Sequence, residues 1–225
     1  MNMTADKSNF ENVLNDSSHS SGDWQEASYV AYVTVMFFIL TSGFLGNVLS
    51  IFVLCQPLLR KQTLAPMMLS LAVGDLFVIV FGYPTMMSVI LPGQDIQADT
   101  PRCSWYAFIN GAVGVATIAT FTAMTMVLSY SIHQMNPKFR FSQKIIYHLV
   151  AACWSYGVVS MLPPLLGWNQ FVPGACRIGC GPDWTDGSPA GMAYSLLLVA
   201  VGFVGPIIAI SVSYFKICRY ATNSI

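Results

Sequence analysis

Of the 225 residues in the chain, 55% are hydrophobic and only 9% charged, against roughly 25% charged in an ordinary soluble domain. Ten Lys and Arg balance ten Asp and Glu, so the net charge points to no nucleic-acid partner. The mean hydropathy of +0.59 excludes a water-soluble globule.

Residues 1–26 are polar and acidic, with Asp6, Glu11, Asp16, Asp23 and Glu26 against Lys7. They lack the basic start and apolar centre of a cleavable signal peptide, so the first apolar segment is expected to direct its own insertion. This Ser/Asn/Asp-rich tail is expected to be disordered. Its sequons at Asn2 and Asn15 are candidate glycosylation sites.

Five long runs follow without a charged side chain, save one. They are Ala27–Leu59, Thr63–Leu91 (broken by Asp75), Cys103–Pro137, Ile145–Cys176 and Gly187–Phe215. About 20 apolar residues at about 1.5 Å each cross a hydrocarbon core of about 30 Å. Transmembrane strands would be about 10 residues long with alternating polarity, which these runs lack. The sequence therefore predicts an all-α bundle of five transmembrane helices near 29–55, 63–90, 103–133, 145–167 and 190–219.

Span one carries Asn47 and span two carries Asp75. A carboxylate at that depth costs several kcal/mol unless paired or hydrated. Asp75 is therefore expected to face the bundle interior beside Asn47, either as a water- or ion-linked group or as a protonated, hydrogen-bonded structural one. Span three begins at Cys103, and its Gly111, Gly114, Ala116 and Ala119 offer a narrow surface for close helix packing. Span four carries Cys153, expected to be a small buried residue, and ends in "PPLLGW", residues 163–168. Its prolines end the hydrogen-bond ladder and Trp168 suits an interface. In span five, Pro206 frees a carbonyl and permits local unwinding.

Seven basic residues (Arg60, Lys61, Lys138, Arg140, Lys144, Lys216, Arg219) fall after spans one, three and five, with no acid among them. The other side holds Lys7, Arg102 and Arg177 with nine acids. Lys and Arg mark the cytoplasmic side, so the N-terminus is expected outside. Of the six cysteines, Cys103, Cys176 and Cys180 then face the oxidising side. A bond from Cys103 to either Cys176 or Cys180 would tie the outer loop across the bundle. Cys55 and Cys218, near the inner surface, are candidate palmitoylation sites. No metalloprotease, hydrolase-elbow or phosphate-loop pattern occurs and His19, His133 and His148 are scattered, so no enzyme is predicted and no metal site.

Read together, Gly46-Asn47, Leu71…Asp75, Cys103, Trp154, "PPLLGW", the outer "CGPDW" at 180–184, and Pro206 with Tyr214 resemble the rhodopsin-like seven-helix receptors. "PKFRF" at 137–141, "PPLLGW" and "CGPDW" resemble the opsins in particular. The resemblance covers residues 27–225, the receptor domain, beyond the extracellular tail 1–26. It implies that Cys103 pairs with Cys180 and that Asn47 and Asp75 share a polar network. It also makes Tyr106, Gly111, Gly114 and Trp184 candidates for a chromophore pocket, and implies retinal as cofactor, a heterotrimeric G protein as partner and the plasma membrane as location.

Four departures qualify that picture. The family's acidic-Arg-Tyr triplet falls on Val127-Leu128-Ser129, so Leu128 replaces the arginine that meets the G protein. The opsin counterion positions fall on Tyr106 and Gly174, neither of them a carboxylate. The lysines are Lys7, Lys61, Lys138, Lys144 and Lys216, all outside the membrane core. Spans six and seven do not follow, which reads as a fragment or truncated form of an opsin-like receptor, cut after span five. Such a chain is not expected to form a retinal pigment or signal by itself. Retention in the endoplasmic reticulum and association with a full-length receptor are its expected fates. The competing readings are a non-opsin receptor fragment and a small transporter or channel, although no internal repeat of the transporter kind is present.

Overall fold

The computed structural model describes residues 30–90, 96–98, 100–134, 140–174 and 179–223. Asn2, Asn15, Cys176 and the start of "PKFRF" lie outside the described residues. The chain divides into two units, Met1–Leu45 and Gly46–Ile225.

The first unit contributes the N-terminal part of helix α1, Val30–Leu54. Within it the hydroxyls of Thr34 and Ser42 donate to the carbonyls of Val30 and Phe38, one turn back. The same bond recurs in later helices at Thr120 to Ala116, Ser160 to Tyr156 and Ser213 to Ala209. Hydrocarbon offers a hydroxyl no other partner, so its own helix supplies one.

In the second unit α1 ends before Pro57. The next span begins as α2, Ala65–Phe77, with Pro66 in its first turn, where the missing N–H is no loss. It passes through a π-helical turn, Val78–Gly82, into α3, Tyr83–Ile90. Span three is one helix, α4, Pro101–His133, capped by Thr100, whose side chain accepts from the Cys103 N–H at 3.3 Å. Span four is α5, Gln143–Leu165. It stops where Pro163 and Pro164 leave no donors and Gly167 turns to φ +84°, a left-handed residue suited to a helix exit. Span five is α6, Pro189–Val199, a second π turn, Ala200–Val204, and α7, Gly205–Asn223.

The two π turns share a cause. Each ends on the residue before a proline: the Tyr83 N–H bonds to Val78 O ahead of Pro84, and the Gly205 N–H to Ala200 O ahead of Pro206. Proline cannot donate four residues back and its ring crowds that carbonyl, so the helix widens by one residue per turn. The unwinding expected at Pro206 takes this form. Pro84 produces the same feature in span two.

Helix α4 is the central element, packed against α2, α5, α7 and the outer hairpin. That hairpin pairs β1, Phe171–Pro173, antiparallel with β2, Cys180–Pro182, in the register Phe171↔Pro182, Val172↔Gly181, Pro173↔Cys180. Two small buried clusters mark the ends of the unit. The outer one joins Met86, Ile96 and Cys103, and the inner one Met67, Val127 and Ile146. Large apolar side chains such as Leu196, Phe203 and Phe215 lie exposed, as a lipid solvent requires.

Candidate functional site at the outer mouth and the polar centre

The outer mouth is built around the head of α4. Cys103 is joined to Cys180 with Cα atoms 5.4 Å apart, which fastens β2 to α4. The hairpin thereby presses Gly179 onto the ring of Tyr106: a Cβ at Gly179 would lie 2.8 Å from its Cε1. Tyr83 meets the same ring edge-on at 6.1 Å between centroids. One turn deeper, Asn110 donates to the Tyr106 carbonyl at 2.8 Å and lies beneath Gly82, where a Cβ would come within 2.9 Å of Nδ2. On the outer flank Trp105 Nε1–H donates to Phe81 O at 3.0 Å, a carbonyl of the π turn. The widened turn and the glycine together bring span two against α4.

The loop beyond β2 is held by buried Asn169, whose amide donates to Asp183 O (3.0 Å) and accepts from Asp183 N–H (2.9 Å). The Asp183 carboxylate accepts from the Thr185 hydroxyl at 2.7 Å and its N–H at 2.9 Å, and these bonds hold its pKa below the ordinary value. Asp186 accepts from Ser188 N–H, and the Ser188 hydroxyl caps α6 by accepting from Gly191 N–H.

The pocket candidates fare differently. Tyr106 stands under the hairpin. Gly111 packs on Met161, whose Cγ would be 3.1 Å from an added Cβ. Gly114 faces open space and Trp184 is exposed on the loop. The close helix contact of span three instead centres on Gly157 of α5, which abuts Ala112 O and Ala116. At the polar centre a side-chain hydrogen bond joins Asn47 to Asp75. Gly74 beside it receives the Trp154 ring, which would lie 3.2 Å from a Cβ, and Trp154 Nε1–H donates to Ser70 Oγ at 2.7 Å. Asp75 keeps its amide partner yet remains exposed among the described residues.

At the inner end Val127 and Ser129 are buried, and Leu128 is exposed beside Arg140 in a small cavity of about 420 Å³. Ser129 O lies 2.8 Å from His133 Nδ1. His133 in turn stacks obliquely with Tyr220 of α7, 5.7 Å between ring centroids. That pairing across two spans had no signature in either helix alone.

Five apolar helices and a disulfide-fastened hairpin make up a multi-pass helical membrane bundle. Residues 46–225 match the family model described as 7 transmembrane receptor (rhodopsin family), and the chain belongs to that family. It is similar to the rhodopsin of Petromyzon marinus, 27% identical over 196 residues, covering 86% of this chain and 54% of that protein. It is also similar to the melanopsin of Homo sapiens, 27% identical over 187 residues, covering 83% and 39% respectively. The crystal structure of squid rhodopsin shares the fold, with a TM-score of 0.75 and 22% identity over 83% of this chain and 51% of that one. The chain thus spans about half the length of the curated rhodopsins it matches.

Proposed function

We propose that this chain supplies five helices of an opsin-like, photoreceptor-type receptor, set in the plasma membrane with its N-terminus outside. The observation that carries this reading is the hairpin tied by Cys103–Cys180 and seated on Tyr106, in the "CGPDW" setting that resembles the cap of the opsin pocket.

Retinal is the cofactor the family implies, and the residues present do not complete a covalent site for it. Lys61 lies in the first inner loop, Lys144 in the first turn of α5 and Lys216 near the inner end of α7, all three exposed; none reaches the outer mouth. Tyr106 and Gly174 bring no carboxylate there. No step through retinal is therefore assigned to these residues. Leu128 likewise offers no guanidinium to a G protein, so efficient coupling through this chain is not proposed.

The test is complementation. Residues 1–225 are co-expressed with the sixth-to-seventh-helix segment of a related rhodopsin and supplied with 11-cis-retinal, and assembly is checked by co-purification. The assembled pair is expected to show a hydroxylamine-sensitive absorption band. Residues 1–225 alone are expected to show none, and no light-dependent nucleotide exchange. An assembled pair without any such band would overturn the opsin reading.

A further inference from the structure

Pro164 lies in the last turn of α5. It has no N–H to give to the carbonyl four residues back, that of Ser160. In water a solvent molecule would replace the missing donor. In hydrocarbon none is at hand, so a freed carbonyl must be claimed by another group of the protein. The Ser160 hydroxyl does not serve, since it donates to Tyr156 O at 2.8 Å. The donor comes from span five instead: the Tyr194 hydroxyl reaches Ser160 O at 3.0 Å.

Tyr194 has a need of its own. It is buried, and a buried phenol hydroxyl requires a partner. Carried at the far end of its ring, that hydroxyl cannot bond one turn back on its own helix as the serines and threonines here do. Two acceptors of α5 lie near it, Ser160 O and, at 3.9 Å, Met161 Sδ. A hydroxyl has one proton, and a thioether is the weaker acceptor, so the proton goes to the oxygen and the sulfur lies beside the bond. Met161 is thereby held between Tyr194 and Gly111 of α4, where an added Cβ would come within 3.1 Å of its Cγ. Met161, Pro164 and Tyr194 are all buried, enclosed by spans three, four and five themselves.

We propose that Tyr194 is a positioning residue: its hydroxyl takes the place of the donor that Pro164 removes, locks span five to span four, and sets Met161 as the wall of the pocket candidate at Gly111. Proline and tyrosine form one device. The first frees a carbonyl at a known height on span four, and the second, on the next span, claims it. That fixes the register of the two helices where apolar packing alone would let them slide. The pocket part rests on the opsin reading above. The lock between the helices does not, and measurements without retinal separate the two.

The test is a rescue in the full 225-residue chain in detergent. Tyr194→Phe is expected to lower the thermal midpoint by about 2–4 °C, the scale of one lost bond in a chain of this size. In a Pro164→Ala background the backbone N–H of residue 164 returns to Ser160 O, and the same substitution should cost less than half as much. An equal loss in both backgrounds would overturn the exchange of one donor for the other, and no loss in either would show that the hydroxyl holds nothing. Should Pro164→Ala fail to fold, methyl spectra of the chain labelled with 13C at its methionine methyls carry the test, with Met161 assigned through Met161→Leu. The Met161 resonance is expected to move in Tyr194→Phe while that of Met67, in the inner cluster, stays. Both moving alike, or neither moving, would refute the placement of the hydroxyl beside the sulfur. In the complemented pair with 11-cis-retinal, Tyr194→Phe is expected to shift the absorption maximum. An unmoved band beside a lowered midpoint would overturn the pocket part alone. Absence of any band in the unaltered pair would overturn the opsin reading and the pocket part with it, while the rescue still decides the lock.

Discussion

Gly157 shows how little room single positions leave at the α4–α5 seam. A side chain there would strike the Ala112 carbonyl oxygen and come within 2.8 Å of Ala116 Cβ, and both belong to a helix that cannot yield alone. Gly157→Ala is therefore expected to destabilise the chain by about 1–3 kcal/mol through overpacking, seen as a lowered thermal midpoint in detergent. Gly114→Ala, with nothing within 4 Å, should leave the midpoint unmoved, and equal effects of the two would contradict this packing. Trp154 makes a different kind of contact. Its indole N–H reaches Ser70 Oγ at 2.7 Å, and interhelical hydrogen bonds in membranes average about 0.6 kcal/mol with a maximum near 1.7. A double-mutant cycle of Trp154→Phe with Ser70→Ala should return a coupling in that range. A coupling of zero would mean that the bond contributes nothing beyond ring packing on Gly74.

The outer hairpin behaves as an element because two attachments hold it. The Cys103–Cys180 bond joins residues 77 apart, and closing a loop of that size contributes roughly 4 kcal/mol in the chain-entropy model. Cys103→Ser is expected to lower stability by an amount of that order and to release the hairpin from Tyr106. Peptide mapping that found Cys103 joined to Cys176 instead would overturn the assignment. The second attachment is the Asn169–Asp183 clamp and the turn that follows it. Asp183 has its pKa lowered, chiefly by the Thr185 hydroxyl. A lowered folded-state pKa means that the ionised turn is stabilised above the ordinary aspartate value of 3.8 and loses that support as pH falls through the lower folded value. In an NMR titration the Thr185 amide should shift with a midpoint below 3.8, and Asp183→Asn should abolish the transition. A midpoint at or above 3.8 would show that the hydroxyl does not favour the charged form. The π turns before Pro84 and Pro206 belong to this scale as well, since each re-aims the outer half of its helix, and in span two it leaves Phe81 O to accept from Trp105.

For the whole molecule the governing distribution is charge across the membrane. Seven Lys and Arg fall on one side and three on the other, with nine acids opposite the seven. The positive-inside bias therefore predicts that Asn2 or Asn15 is glycosylated when the chain is inserted into microsomes, and that the loop holding Lys138 is the one exposed to protease on their outer surface. Glycan-free product with protease-sensitive Cys180 would reverse the topology. The placement of Asp75 is also a whole-molecule matter. It is exposed despite its Asn47 partner, and lipid contact at that depth is costly; the proposed receptor assembly would cover it.

The five helices were legible in the sequence because transfer from water to hydrocarbon is nearly additive along a chain, so apolar length alone marks a span. The structured bounds Ala65–Ile90, Pro101–His133, Gln143–Leu165 and Pro189–Asn223 fall within a few residues of those expected. Asn47 was expected beside Asp75 because a polar side chain in hydrocarbon seeks another, but the interior placement expected of Asp75 is not found among the described residues, where it is exposed. Tertiary structure alone decided the rest. Residue placement left Cys176 and Cys180 both open as partners of Cys103; the family resemblance implied Cys180, and the structure joins Cys103 to it. Gly114 was among the residues expected to pack closely, but it faces open space, and the close contact falls on Gly157, which the sequence did not single out. The contact of His133 with Tyr220 joins two spans that lie far apart in sequence. Such features depend on which atoms meet across elements, a pairwise geometric property that no count of hydrophobicity along one strand of chain contains.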